Sequence, residues 1–358
     1  MTAHDLVIDG SSGEGGGQIL RTAVGLAAIA RRPVRIEKIR AGRSKPGLGA
    51  QHLTAVRAVA SACDAELSGD SLGSQTLLFR PRHPPRAGEY EFDVADAREG
   101  GSAGAATLVL QAVLPPLLLA DGDSTVTVRG GTHMARSPPF DYLKDVWLST
   151  VGCMGASIEM ELRRSGWFPI GRGEICARVL ALRSARLRSL QLTERGQIGM
   201  VTGRAIAAEL PAHIAQRMAD RATFRLRAAG LAAHIMPQCL RAACPGAGIF
   251  LTAEYDYVRS GFSALGRIGK PAEAVADEAV DALLQHHSSP AVVDEHLSDQ
   301  LLVPFALSDR ASALVVNKVT RHLRTNAWVI EQFGLAKVEM VCRGEGATLV
   351  TVTPSAAG

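Results

Sequence analysis

Short stretches of alternating apolar and polar residues recur along this chain, and glycine joins each to an apolar run of helical spacing. Alternation puts successive side chains on opposite faces of a strand. Spacings of three and four put them on one face of a helix. The first unit has a strand at 5–9, the loop Ser11-Ser-Gly-Glu-Gly-Gly-Gly17, then Ile19, Leu20, Val24, Ala27 and Ala28 on a helix. A strand at 34–39 leads through Arg40-Ala-Gly-Arg-Ser-Lys-Pro-Gly47 into a helix bearing Leu53, Val56, Val59 and Cys63. Strands at 76–80 and 90–94 precede the glycine cluster 100–104 and a helix over 105–119. A strand at 125–129 precedes Gly130-Gly-Thr132 and a helix from near Pro139, and strands at 157–162 and 174–180 close this part.

The pattern changes near Ala185. Strands at 187–192 and 199–207, a helix at 212–229 and strands near 232–236, 249–255 and 261–265 suffice for a small α/β insert. A helix at 272–286 returns to the earlier pattern, followed by an apolar helix over 299–306 and a C-terminal unit. The expected limits are 1–184 and 277–358 for a large domain and 185–276 for the insert. Repetition of strand, glycine and helix suggests several copies of a β-sheet with two helices.

Composition narrows the class. At 358 residues, 47% hydrophobic and 21% charged, the chain reads as globular and large enough for two domains. Aromatics make up 4%, which argues against base stacking as the main mode of nucleic-acid binding. Net charge is only +4, but of the 39 basic residues six are lysines and the rest arginines, the residue that grips phosphate bidentately. An arginine-favouring genome explains that total equally well, so only the positions of the arginines count. The six cysteines form no C-x-x-C pair, against a zinc knuckle or a disulfide framework. No basic-then-apolar leader is visible, and the most apolar run, 105–120, contains Gln111 and Pro115-Pro116 and is shorter than the roughly 20 residues a membrane span needs. A cytoplasmic protein with no membrane contact is expected.

Three segments could carry chemistry. In the first, four glycines surround Glu14 ahead of a helix, with Arg21 one turn in. A helix N-terminus offers unpaired N–H groups to an anion, and a carboxylate among glycines suits a metal-bound nucleotide. The spacing matches neither the dinucleotide fingerprint nor the Walker loop. A tight strand-to-helix turn would account for the glycines but not for Glu14. In the second, Arg40, Arg43 and Lys45 precede Gln51 and His52 at another helix start, which reads as phosphate ligands rather than surface solubility. The third pairs Glu295-His-Leu-Ser-Asp-Gln300 with Arg321-His322, where a histidine at a helix start is ordinarily a cap. No Ser/His/Asp order or Cys/His set recruits His322, so in catalysis it would serve as a nucleophile itself.

Together these stretches resemble the RNA 3′-terminal phosphate cyclase family. The match continues through Gly73-Ser-Gln75, Leu78-Phe-Arg-Pro81, Gly101-Ser-Ala-Gly104, Thr107-Leu-Val-Leu-Gln111, Gly130-Gly-Thr132, Asp299-Gln300 and Thr325-Asn326, in order over nearly the whole length. The resemblance implies an α+β fold: a large domain of three repeated units, each a four-stranded sheet with two helices, and a small inserted thioredoxin-like α/β domain. It implies an ATP-dependent ligase that acts on RNA bearing a 3′-terminal phosphate and makes a 2′,3′-cyclic phosphate. His322 would carry AMP. Arg21, Arg40 and Arg43 would act on the transferring phosphates, and Glu14 would hold a divalent metal, Mg or Mn. Gln51, His52, Gln111, Pro138, His296, Leu297, Ser298, Asp299 and Gln300 would line the nucleotide pocket. His296 departs from the family's tyrosine. A catalytically silent relative that assists ribosome assembly by binding RNA or protein is the alternative, and a homodimer is left open.

Overall fold

The computed structural model describes residues 5–98, 102–184, 186–344 and 346–355. Gly100 and Gly101 of the third glycine cluster, and Ala185 at the expected domain limit, lie outside them. The chain begins with β1 (Leu6–Asp9), α1 (Gly17–Ala30), β2 (Val34–Glu37), α2 (Ala50–Cys63), β3 (Glu66–Ser68) and β4 (Leu77–Arg80). Their sheet has the order β1-β2-β4-β3, with β1 and β2 parallel and the other pairs antiparallel. Alternation fixes its inward face: Ile8, Val34, Ile36, Leu77 and Phe79 are fully buried.

Next come β5 (Glu89–Asp93), α3 (Ala106–Leu118), β6 (Ser124–Gly130) and the helical run α4 (Phe140–Tyr142), a π turn (Leu143–Trp147) and α5 (Leu148–Cys153). With β7 (Ser157–Arg164) and β8 (Gly173–Leu180) they build a second sheet, β5-β6-β8-β7, with the same one parallel and two antiparallel pairings. After β9 (Gln191–Leu192) come β10 (Ile198–Ala208), α6 (Ala212–Ala228), β11 (Ala233–Leu240), β12 (Gly246–Tyr255), β13 (Arg259–Leu265) and α7 (Ala272–His287). They form a sheet of different order, β11-β10-β12-β13, on which α6 and α7 pack. The chain ends with α8 (Glu295–Gln300), α9 (Leu302–Ala306), β14 (Ser312–Val316), α10 (Arg321–Gln332), β15 (Ala336–Gly344) and β16 (Ala347–Pro354), in a sheet β15-β16-β14-β9.

Two local expectations differ from what is observed. The strand expected at 187–192 is reduced to Gln191 and Leu192, which pair with Ala313 and Leu314 of the C-terminal sheet rather than with the neighbouring strands. The helix expected to rejoin the parent pattern, α7, lies on α6, with Arg217 bonded to Glu273 and Arg221 to Asp277. A local periodicity tells which face is apolar but not which surface covers it.

Helix α1 packs against α2, α3 and α10, and α2 against α3, which brings the glycine loop beside the starts of α2 and α10. Gly25 permits part of this: a Cβ there would stand 3.2 Å from the Ala112 carbonyl oxygen of α3. Two polar clasps hold the β10–β13 sheet to the rest. In one, buried His133 has Nε2 2.9 Å from Asp141 Oδ2 and Nδ1 2.7 Å from Thr132 Oγ1, and it stacks on Trp167 at 4.6 Å. Arg204 of β10 ion-pairs with Asp141 and reaches Asp145 at 3.0 Å. In the other, Asp294 caps α8 while accepting hydrogen bonds from the Tyr142 hydroxyl at 2.7 Å and the Gly261 N–H at 3.1 Å.

Candidate active site

The glycine loop reaches α1 through two left-handed residues, Gly13 and Gly15, each with φ of 60°. That conformation is costly for any other residue. At Gly13 proximity adds a second reason, because a Cβ would fall 2.2 Å from Thr325 Oγ1. The same hydroxyl accepts the Glu14 N–H at 2.9 Å. Next to it, the Thr22 hydroxyl donates to Asn326 Oδ1 at 2.6 Å and Asn326 Nδ2 donates to the Asp299 carbonyl at 2.7 Å. Thr325 and Asn326 thus dock α10 onto α1 and α8 and set His322 above the loop. Gly16 caps α1 without a side-chain bond, so the first-turn N–H groups stay available to an anion.

His322 is the centre of this arrangement. Its side chain is 52% exposed, while Nδ1 lies 2.5 Å from Gln18 Oε1 and 3.6 Å from Glu14 Oε2. Gln18 is buried and donates through Nε2 to Asp299 Oδ2 at 2.6 Å. Glu14 ion-pairs with Arg43, and its Oε2 is buried with no hydrogen-bond partner among the described residues. That orphaned oxygen suits a cation. Among the described residues no three His, Cys, Asp or Glu side chains lie close enough together to hold a metal ion, so a metal held at Glu14 would take its remaining ligands from phosphate and water, as magnesium commonly does.

The electrostatics follow from enclosure among like charges. Burial lowers His322, the nearby Arg21 and Arg43 push the same way, and Asp299 opposes them. Burial raises Asp299 to about 6 against the pull of His322. Arg21 is lowered by burial to about 10, with Asp299 opposing. His52, buried and facing Arg21, Arg40 and Arg43, falls to about 3 and is neutral at any physiological pH. Three guanidinium groups therefore gather around a neutral imidazole at the mouth of the glycine loop, a field that favours polyanions.

The structure gathers Glu14, Arg21, Arg40, Arg43, His52, Asp299 and His322 around this cradle. Arg40 braces its own loop by donating to the Gly47 carbonyl at 2.7 Å. Gln51 accepts the Ala105 N–H at 2.9 Å, tying α2 to the start of α3. Gln111 donates to Gln300 at 2.6 Å. Leu297 and Ser298 are fully buried, and the Ser298 hydroxyl is spent on the Glu295 carbonyl, so neither side chain reaches the open face. His296 is exposed and meets Tyr142 edge-on at 6.4 Å between ring centres. Pro138 is half-buried just ahead of α4. Gln18 carried no role in the sequence reading, although it sits one helical turn before Arg21, on the same side of α1.

Comparison with known proteins gives the family. A family profile described as RNA 3′-terminal phosphate cyclase matches residues 12–340. A protein of that name from Methylococcus capsulatus is 57% identical over 99% of this chain and 98% of its own length. Namesakes from Trichormus variabilis, 53% identical over 92% of this chain and 94% of theirs, and from Gloeothece citriformis, 49% over 94% and 95%, agree. Profile and relatives cover the cradle, the arginine loop and the α10 histidine together, and this chain belongs to the RNA 3′-terminal phosphate cyclase family.

Proposed function

We propose that this chain uses ATP to convert an RNA 3′-terminal phosphate into a 2′,3′-cyclic phosphate, with AMP carried on His322. Family membership makes it an enzyme of the cyclase kind acting on RNA. The observation that carries the mechanism is the posture of His322: Nδ1 is engaged by Gln18, and among the described residues no protein hydrogen bond occupies Nε2 at the exposed face. The Nε2 lone pair attacks the α-phosphorus of ATP, and the bond to pyrophosphate breaks. An oxygen of the RNA 3′-phosphate then attacks that phosphorus, returning the electron pair to Nε2. The 2′-hydroxyl oxygen finally attacks the 3′-phosphorus, its proton is lost, and AMP departs. Covalent catalysis divides one difficult displacement into easier ones. Arg21, Arg40, Arg43 and the α1 N-terminus would take up phosphate charge. A divalent cation at Glu14 would supply further neutralisation of the transferring phosphate.

The strand orders support the architecture as well. Three sheets repeat the order first-second-fourth-third, with the β10–β13 sheet and its helices α6 and α7 inserted after β9. We read this as three repeated units interrupted by one α/β domain. No helix among the described residues is long and apolar enough to cross a membrane. A silent ribosome-assembly role gains no support from a site that keeps its nucleophile.

Incubation with ATP labelled at the α-phosphate should leave acid-labile, alkali-stable label on the protein, absent from His322→Ala. Cyclic ends formed by His322→Ala at the parental rate would refute the mechanism.

A further inference from the structure

We propose that Gln18 is a positioning residue that fixes the tautomer of His322, holding the proton on Nδ1 so that the Nε2 lone pair stays free. This rests on the reading of His322 as nucleophile. Asp299 sets the polarity, because its ionised carboxylate can only accept hydrogen bonds. The Gln18 atom 2.6 Å from its Oδ2 must therefore be the amide nitrogen. The same planar amide then turns Oε1 toward His322, 2.5 Å from Nδ1. A carbonyl oxygen also only accepts, so Nδ1 must carry the hydrogen and Nε2 must not.

A flipped amide would set oxygen against carboxylate oxygen and press an NH2 group onto Nδ1. That would force the proton to Nε2 and remove the nucleophilic pair. Gln18 is buried, so water cannot easily compensate such a flip. Burial lifts Asp299 only to about 6, which leaves it ionised at neutral pH. Asp299 is itself anchored, because its carbonyl accepts from Asn326, whose other amide atom is engaged by the Thr22 hydroxyl. Thr22 and Asn326 thus hold the Asp299 backbone in place, and the fixed polarity runs from its carboxylate through Gln18 to the imidazole. Glu14 Oε2, at 3.6 Å, is too distant to make the Nδ1 hydrogen bond.

Long-range proton–nitrogen correlation spectra of the full chain, labelled with 15N-histidine at pH 8, read the tautomer directly. His322→Gln identifies the resonances. In the unaltered protein His322 should be the Nδ1–H form, and Glu14→Gln should retain it. In Gln18→Met and in Asp299→Asn, whose amide can present either end, His322 should move toward the Nε2–H form. Adenylylation at saturating ATP should fall at least about tenfold in Gln18→Met, as for other displaced tautomers, with the KM for ATP within about threefold. An Nε2–H form in the unaltered protein overturns the proposal, and so does an Nδ1–H form that persists in Gln18→Met. Neither spectrum depends on whether His322 carries AMP, so labelled adduct surviving in His322→Ala would sink the nucleophile reading separately.

Discussion

His133 and His322 each sit among carboxylates and arginines, yet only the second cluster keeps an unengaged atom facing solvent. Around His133 every group is answered: both ring nitrogens have oxygen partners, Asp141 meets His133 and Arg204, and Arg204 also holds Asp145. Burial pushes Asp141 up, but His133 and Arg204 outweigh it and hold its carboxyl below the usual range. Trp167 and Phe250 close over the ring, at 4.6 and 5.0 Å between centres. Around His322 the accounting is incomplete. Among the described residues Nε2 has no hydrogen-bond partner, Glu14 Oε2 is orphaned and the α1 N-terminus lacks a side-chain cap. A saturated polar cluster rigidifies a junction, whereas an unsaturated one at a glycine loop has bonds left to make with a substrate.

The sharpest way to break this comparison is to exchange the expected phenotypes. His322→Ala should reduce cyclisation by at least about 10³-fold, roughly 4 kcal/mol, and leave the denaturation midpoint almost unmoved, because the side chain is half exposed. Asp141→Ala should do the reverse. It takes the acceptor from His133 Nε2 and leaves Arg204 only Asp145, and removing one partner of a buried pair costs about 3–5 kcal/mol of stability. Its adenylylation rate per folded molecule should stay within about threefold of the parent. Urea titrations beside single-turnover assays decide both, and a stable but inactive Asp141→Ala would erase the distinction.

Smaller effects are expected from the arginines. Arg43→Ala should slow adenylylation by about 2–4 kcal/mol, the range typical of a lost transition-state donor. Because Arg43 is paired with Glu14, the effects of Arg43→Ala and Glu14→Ala should not add. A double-mutant cycle should return a coupling of about 0.5–3 kcal/mol, and strict additivity would mean that the two act on separate parts of the substrate.

The sequence made the ingredients of the cradle legible but not their pairing. Glu14, Arg21, Arg40, Arg43, His52 and His322 were all legible, since glycine loops and helix starts are local features. The contacts that orient them are not local. Gln18 meets Asp299 across 281 positions and His322 across 304. Arg43, expected as a phosphate ligand, is also paired with Glu14 across the two loops. Leu297 and Ser298 lay in the right segment, but on a six-residue helix they are fully buried, while Asp299 and Gln300 are half-buried and His296 is exposed. The same limit hid the pairing of β9, whose two residues carry no periodicity at all.

His52 offers a test through pH. Held neutral near 3 in the folded chain by burial and three arginines, it binds its proton at about 6.5 once unfolded. The unfolded state therefore takes up more protons between these values, and stability falls as pH drops through that window, by up to about 1.4 kcal/mol per unit. Between pH 7.5 and 5.0, His52→Gln should lose about 2 kcal/mol less than the parent in urea titrations. Equal losses would show that His52 is protonated without penalty, and the cationic field inferred at the mouth of the loop would have to be weaker than drawn.

The smallest effect is expected at His296, where the family resemblance implied a tyrosine. Its side chain is 68% exposed, and its ring contact is the edge of Tyr142 at 6.4 Å. What fixes this segment is the backbone, through the His296 and Leu297 N–H groups donated to Asp294. A larger ring at this position should gain little contact area, so His296→Tyr should change the ATP dissociation constant by no more than about threefold, under 0.7 kcal/mol. Protonation of an imidazole that stacked on the adenine would alter ATP affinity in a way that no tyrosine could reproduce. If His296 stands in solvent, the dissociation constants of the two proteins should run parallel from pH 5.5 to 8. Curves that diverge toward acid pH, or a tenfold gain from the tyrosine, would move His296 from the rim of the cluster into its working face.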